Sequence, residues 1–146
     1  MRINTLSAAV AGLTLAAIAF VAAPAIAETV ALKADLSAAS SVPPNDSKGT
    51  GTADVTYDAA SKTLTWTVKF SGLSGDATAA HFHGPADAGA NAGVAVPIKG
   101  TADPLAGSAI ITDAQAAELV AGKWYVNIHT AAHKDGEIRG QVLKAK

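Results

Sequence analysis

The sequence contains no cysteine, which excludes both disulfide bonds and thiolate-bound metal sites. It also excludes the lipid-attachment cysteine of a lipoprotein. The folded chain must therefore be stabilised by its apolar core, or by that core together with a bound ion.

The chain also lacks an excess of charge of either sign. It has 11 basic and 12 acidic side chains and a formal net charge of −1 with neutral histidines. No cluster of lysine or arginine is present to attract a polyphosphate. We therefore predict no nucleic-acid partner.

The sequence also lacks the motifs of a nucleophile elbow, a phosphate-binding loop and a calcium-binding loop. No nucleophile elbow is present. The Gly-rich segment 84–93 lacks the strand and helix context of a phosphate-binding loop. The spacing of Asp87 and Asn91 within that segment matches no EF-hand-like calcium loop, so a turn is predicted. Neither an internal repeat nor a domain linker is visible.

The first 27 residues have the pattern of a secretory signal peptide. Arg2 precedes an apolar run over 6–21, and the small-residue site Ala25-Ile26-Ala27 follows. The alternative is an uncleaved membrane anchor, for which the run is short. We expect cleavage after Ala27, a periplasmic or secreted product, and no membrane span after cleavage. An exported chain without cysteine fits a bacterial envelope better than an animal extracellular space.

Removal of residues 1–27 from the 146 leaves 119 residues, 28–146, a size typical of one domain. Because Arg2 is the only charged residue removed, the remaining chain has 10 basic and 12 acidic residues and a net charge of −2.

Alternation of apolar and polar residues dominates segment 28–146. Two alternating runs, 52–57 and 63–70, flank a short polar turn and predict a β-hairpin. Pro43 and Pro44 predict a loop over 40–48. Further strands are expected at 30–36, 77–83, 93–98, 107–111, 124–129 and 137–143. The predicted fold is all-β: an antiparallel, Greek-key-like sandwich or barrel of about seven or eight strands with one short helix.

The short helix is predicted after Thr112. The segment Thr112-Asp113-Ala114-Gln115 has the form of a capping box, and Gly122 provides a stop after residues 116–121. Leu119 and Val120 are expected to close one end of the sandwich.

All four histidines lie in two short segments, one with His81 and His83 and the other with His129 and His133. Alternation places Phe82 in the core and both neighbouring histidines on the opposite face. Neutral imidazoles without thiolates suit copper(II) or zinc, so we predict a transition-metal site with copper favoured. The alternative is that the histidines only form hydrogen bonds.

Glu137 and Arg139 share one face of a predicted strand. One expectation is that they form an ion pair with each other or with a cross-strand partner. The alternative is that Arg139 lies beside the histidines and guides a small anion toward them.

Several segments together resemble the CHRD domain, a family named for repeats in chordin that also occurs as single exported bacterial domains. The similarity extends from about Val30 to Leu143. It implies little about activity, and the role of chordin as an antagonist of growth-factor signalling does not transfer readily to an exported bacterial protein. The matching segments are Val42-Pro43-Pro44, 80–86, 125–130 and 136–141.

A local likeness to copper/zinc superoxide dismutase rests on the pair His81 and His83, with Arg139 as a loose match to its anion-guiding arginine. The disulfide and the zinc-binding loop of that enzyme have no counterpart here. Three hypotheses follow: a metal-binding module that is not an enzyme, a copper-dependent dismutase-like enzyme, and a structural or adhesion domain whose protein partner is unknown.

Overall fold

The computed structural model describes residues 28–146, so the predicted signal peptide at 1–27 lies outside the described residues. No helix within the described part is long and apolar enough to cross a membrane. The described chain forms nine strands, one α-helix and one 3-10 helix. Their bounds are β1 Thr29–Ser37, a 3-10 helix Ala38–Ser40, β2 Thr50–Asp58, β3 Thr63–Ser71, β4 Ala77–His83, β5 Val94–Ile98, β6 Leu105–Ile110, α1 Asp113–Val120, β7 Tyr125–Thr130, β8 Ile138–Gln141 and β9 Leu143–Lys144.

The strands form one antiparallel sheet in the order β5-β4-β7-β8-β1-β2-β3-β6, with β9 paired to β1. The two end strands, β5 and β6, also contact each other, so the sheet is nearly closed into a barrel. The predicted all-β antiparallel fold is therefore confirmed.

The clearest sequence pattern gives the β2–β3 hairpin, in which Val55 pairs with Trp66 and Tyr57 with Leu64. These four side chains point inward and are at most 6% exposed. One continuous core, built from the inward positions of the strands, fills the barrel. Burial of this apolar face is the main force that holds the hairpin in register.

The predicted capping box is present at the start of α1. Thr112 Oγ1 accepts a hydrogen bond from the Gln115 backbone N–H at 3.2 Å, and Gln115 Oε1 accepts one from the Thr112 N–H at 2.9 Å. Gly122 follows the helix with φ +76°, a conformation that glycine adopts without strain. Leu119 is fully buried in the core, as expected of a residue that closes one end of the barrel.

The predicted strand over 137–143 consists of two strands, β8 and β9. Between them Val142 is buried in the core, and its N–H donates to the Trp124 carbonyl oxygen at 2.9 Å. The pairing then changes, since β8 pairs with β7 along its length and with β1 at Arg139, whereas β9 pairs only with β1.

The outward face of β4, β7 and β8 carries a set of polar and aromatic side chains, which we call the outer layer. Segment 84–93 and segment 41–47 fold back over it, and Asn91 joins them by donating to the Val42 carbonyl oxygen at 3.1 Å. The β7–β8 part of this face is therefore covered, whereas His81 and His129 at its edge are half-buried. The outer layer consists of His81, His83, Tyr125, Asn127, His129, Glu137, Arg139 and Gln141.

Candidate metal centre

Three of the four histidines lie together at one end of the outer layer. His81 and His83 extend from β4, and His129 extends from the adjacent strand β7. One ring nitrogen of each can be chosen so that all three lie within 4.8 Å of one another. The structure therefore brings together three of the four histidines that the sequence proposed as ligands.

Backbone carbonyls orient two of the rings. His83 Nδ1 lies 3.0 Å from the Ala92 carbonyl oxygen, and His129 Nδ1 lies 2.8 Å from that of Lys134. Since a carbonyl oxygen can only accept, each Nδ1 carries the hydrogen and each Nε2 of the neutral ring presents a lone pair that can accept a hydrogen bond or bind a metal. Histidine ligands of metals are commonly held in this way.

The separation of two nitrogens fits a shared ion. His81 Nδ1 and His129 Nε2 are 3.2 Å apart, a distance at which the former donates to the latter when no ion is bound. With bonds of 2.0–2.1 Å, two nitrogens at this separation would subtend about 100° at an ion, close to a tetrahedral angle. The same pair can therefore hold either a proton or a metal.

Burial favours the neutral form of two of these rings. It lowers the pKa of His81 below 6.5, and the neighbouring His129 and His83 lower it further. Burial also lowers the pKa of His83, an effect that the hydrogen bond to Ala92 opposes and that His129 and Arg139 reinforce. Because a metal binds the neutral imidazole, these directions favour ligation.

The Nε2 atom of His83 is the strongest single sign of a ligand. It is buried and has no hydrogen-bond partner among the described residues. Buried polar atoms are rarely left in this state, because each lost hydrogen bond costs about 1–3 kcal/mol. A metal ion bound to this lone pair would remove that cost.

Tyr125 supports His83 from the neighbouring strand. The two rings are stacked, with centroids 5.0 Å apart and planes 4° apart, and the Tyr125 hydroxyl accepts a hydrogen bond from the Ala92 N–H at 3.0 Å. Alternation alone placed Tyr125 on the outer face. Its contact with His83 depends on the pairing of β4 with β7, which no pattern in the sequence reveals.

The other two predicted site residues lie outside this group. His133 lines a separate cavity beside Pro44 and Asn45, because Thr130 and His133 exchange backbone hydrogen bonds in a tight turn. Arg139 extends from β8, on the side of Tyr125 opposite β4, and only 2% of its surface is exposed. Tyr125 therefore separates Arg139 from His83.

The ion pair expected of Glu137 and Arg139, with each other or with a cross-strand partner, is not formed in the described part of the chain. Both are buried, and neither is in an ion pair within residues 28–146. Segments 41–47 and 84–93 cover the strand face that alternation had assigned to the outside. Glu137 instead accepts hydrogen bonds from Ser74 and Thr130.

A family model for the CHRD domain matches residues 32–142, which is most of the chain. The chain belongs to the CHRD domain family. Searches of curated proteins and of solved structures gave no match.

Two glycines in the segments that carried the CHRD resemblance have a steric role beside the histidines. A Cβ on Gly84, directly after His83, would lie 2.3 Å from the Trp124 ring. A Cβ on Gly136 would lie 2.1 Å from Asn127 Oδ1, and φ at Gly136 is +120°. In this CHRD domain both positions therefore require glycine, which lets the start of segment 84–93 approach Trp124 and the turn before β8 approach Asn127.

Glu137 is the centre of a hydrogen-bond network that fixes the covering segment 41–47 of the CHRD domain. Its carboxylate accepts from Ser47, from the backbone and hydroxyl of Ser74, and from Thr130. Burial raises its pKa, but the hydrogen bonds from Ser47, Thr130 and Ser74 outweigh burial and lower the pKa from 4.5 to about 2. Glu137 is therefore a structural carboxylate that stays ionised.

Proposed function

We propose that this CHRD domain binds one transition-metal ion through His81, His83 and His129. The observation that carries the proposal is the grouping of one ring nitrogen from each of the three histidines within 4.8 Å, and the buried, unpartnered Nε2 of His83 supports it. Three imidazoles fill three positions of a four-coordinate site and leave one open.

Copper(II) is the ion we favour, with zinc as the alternative. The donor set is made of imidazole nitrogens alone, which suits both ions, and a given nitrogen site binds copper(II) more tightly than zinc. Sequestration or delivery of the ion would follow from a site that lies at the barrel surface, where His81 and His129 are half-buried.

Binding without turnover is preferred over a dismutase-like reaction. Such an enzyme would need a cation exposed beside the metal to attract a small anion. Arg139 is buried behind Tyr125, so the geometry does not favour it as that guide. The anion-guide role of Arg139 and the enzyme activity stay predictions of the local resemblance.

We further propose that the protein acts in the periplasm or outside the cell, on the strength of the pattern at residues 1–27. The intact mass of protein recovered from the bacterial envelope tests this. A product that starts at Glu28 supports export, whereas retention of residues 1–27 contradicts cleavage.

Titration of untagged, metal-free protein with copper(II) and with zinc, in competition with a chelator, tests the metal site. Variants His81→Ala, His83→Ala and His129→Ala are each expected to weaken binding by at least the 10–100-fold that loss of a supporting residue costs. His133→Ala is the matched control and is expected to bind as the wild type does.

Thermal unfolding of each metal-free variant checks that the fold survives, which matters most for the buried His83. Two outcomes contradict the proposal: no stoichiometric metal in the wild type, or equal loss of binding in the folded His133→Ala variant.

A further inference from the structure

Arg139 is a buried cation without a carboxylate partner. Its guanidinium donates to three neutral oxygens: Asn91 Oδ1 and the Asp87 carbonyl, each at 3.2 Å, and Gln141 Oε1 at 3.4 Å. The nearby Asp87 carboxylate is turned away and pairs with Lys123 at 2.6 Å. Charges this deeply buried are normally paired, because desolvation is costly.

The Tyr125 ring supplies part of the compensation. The guanidinium carbon lies 3.5 Å from the ring centroid, in the geometry of a cation–π contact. This contact and three neutral acceptors use only part of what the guanidinium offers, since arginine has five N–H donors. The side chain can therefore still donate to a ligand.

Arg139 also lines a cavity of about 410 Å³ between segment 39–44 and residues 88–89. Its polar lining comes from Arg139, Gln141 and two serines of segment 39–44, and its apolar lining includes Val42, Pro44 and Ala88. The volume is within the range of small-molecule sites, which combine apolar walls with a few polar groups.

The charge of this cavity differs from that of other cavities in residues 28–146. No aspartate or glutamate lines it. Four other cavities at the surface of the described residues are each lined by at least one aspartate. A buried positive charge, no acidic residue and apolar walls together select an anion that carries an apolar group.

We propose that this cavity binds a small organic carboxylate, with the carboxylate on Arg139 and the apolar part against Val42, Pro44 and Ala88. A carboxylate oxygen can accept a charge-assisted hydrogen bond from one of the N–H groups of Arg139 that remain free. The Ser40 side chain, which also lines the cavity, offers a further hydroxyl. This site lies across Tyr125 from the histidines and does not depend on metal binding.

The test is a titration of the full domain, without metal, with hexanoate, followed by ¹H–¹⁵N NMR at neutral pH. We expect saturable shifts confined to segment 39–44, residues 88–89 and the Arg139 side chain. Hexanamide, which is neutral, and inorganic phosphate, which has no apolar part, are expected to give none. Arg139→Lys keeps the charge but loses the planar guanidinium with its fixed N–H directions, and it is expected to weaken hexanoate binding about tenfold or more.

A second pair of variants keeps Arg139 intact. Ala88→Phe fills the cavity from an exposed position and is expected to abolish the shifts, whereas Ala90→Phe, exposed on the same loop, is the matched control. The proposal is overturned by the absence of saturable shifts at millimolar hexanoate. Equal shifts with hexanamide, or hexanoate binding that survives Ala88→Phe as well as it survives Ala90→Phe, overturn it too. Saturation by phosphate would identify a site for free inorganic anions instead.

Discussion

The two halves of the barrel differ in what lies outside the sheet. On β1, β2 and β3 the outward side chains, such as Lys33, Asp54 and Thr65, are exposed to solvent. On β7 and β8 the outward side chains Asn127 and Arg139 are only 4% and 2% exposed. The same alternation of side chains therefore has two outcomes. The outward face of β1, β2 and β3 is solvated, whereas the outward face of β7 and β8 is a second buried layer made of polar side chains.

The difference has a physical cause in the loops. The turns that join β1 to β2 and β4 to β5 are long, and they fold back across the β7–β8 face. Segment 41–47 is held by the Glu137 backbone and carboxylate, and segment 84–93 is held by Tyr125, Arg139 and Gln141. Polar groups placed inside this cover must find partners or ligands, since water is excluded.

Loss of the Glu137 carboxylate is expected to destabilise the half of the barrel that segments 41–47 and 84–93 cover. Glu137→Gln is expected to lower the free energy of unfolding by about 3 kcal/mol, the value that corresponds to a pKa lowered from 4.5 to about 2. Urea denaturation at neutral pH measures this. Asp54→Asn, on the solvated face of β2, is the matched control and is expected to change stability by no more than about 0.5 kcal/mol.

The pH dependence gives a second readout of the same carboxylate. Because the pKa of Glu137 is lowered by folding, its contribution is complete above pH 4.5 and is lost as the pH falls toward 2. The Glu137→Gln variant should lose less stability than the wild type over that interval. Parallel acid curves for the two proteins would show that Glu137 does not carry this contribution.

The two halves also differ in how well the sequence predicts them. The β2–β3 hairpin was predicted from alternation alone, because one face meets the core and the other meets water. The direction of His81 and His83 followed from the same rule. Alternation states which face a side chain occupies, but it does not state whether a distant loop covers that face.

The parts of the site that sequence reasoning missed depend on contacts between distant segments. The stack of Tyr125 on His83 requires the pairing of β4 with β7, and the support of His83 requires a carbonyl nine residues further along the chain, on Ala92. His133 was expected to be a fourth ligand on sequence proximity to His129. The turn from Thr130 to His133 carries it into another cavity instead.

Two tyrosines, one in each half of the barrel, allow the contribution of a single hydrogen bond to be compared. Tyr125→Phe removes the acceptor of the Ala92 N–H and is expected to lower the free energy of unfolding by about 1 kcal/mol. Tyr57→Phe, on β2, is the control. Within residues 28–146 the Tyr57 hydroxyl makes no hydrogen bond to a backbone group, whereas the Tyr125 hydroxyl bonds to the backbone of Ala92. Equal losses of stability in the two variants, measured by urea denaturation, would mean that the covered half gains nothing from this bond.

The smallest effect concerns the metal-free histidines. Burial and mutual repulsion lower the pKa of His81, and burial lowers that of His83, so the unfolded chain takes up protons before the folded one. Stability from this source is therefore complete above pH 6.5 and declines as the pH falls below it. Hydrogen exchange between about pH 8 and pH 5 should show backbone amides of β4 and β7 losing protection while those of β2 and β3 keep it.

NMR titration of the His81 and His83 rings supplies the decisive control. Midpoints at or above pH 6.5 for both rings would contradict the expected lowering of their pKa values. Midpoints below pH 6.5 would mean that the covered half holds its ligands ready for a metal under mildly acidic conditions.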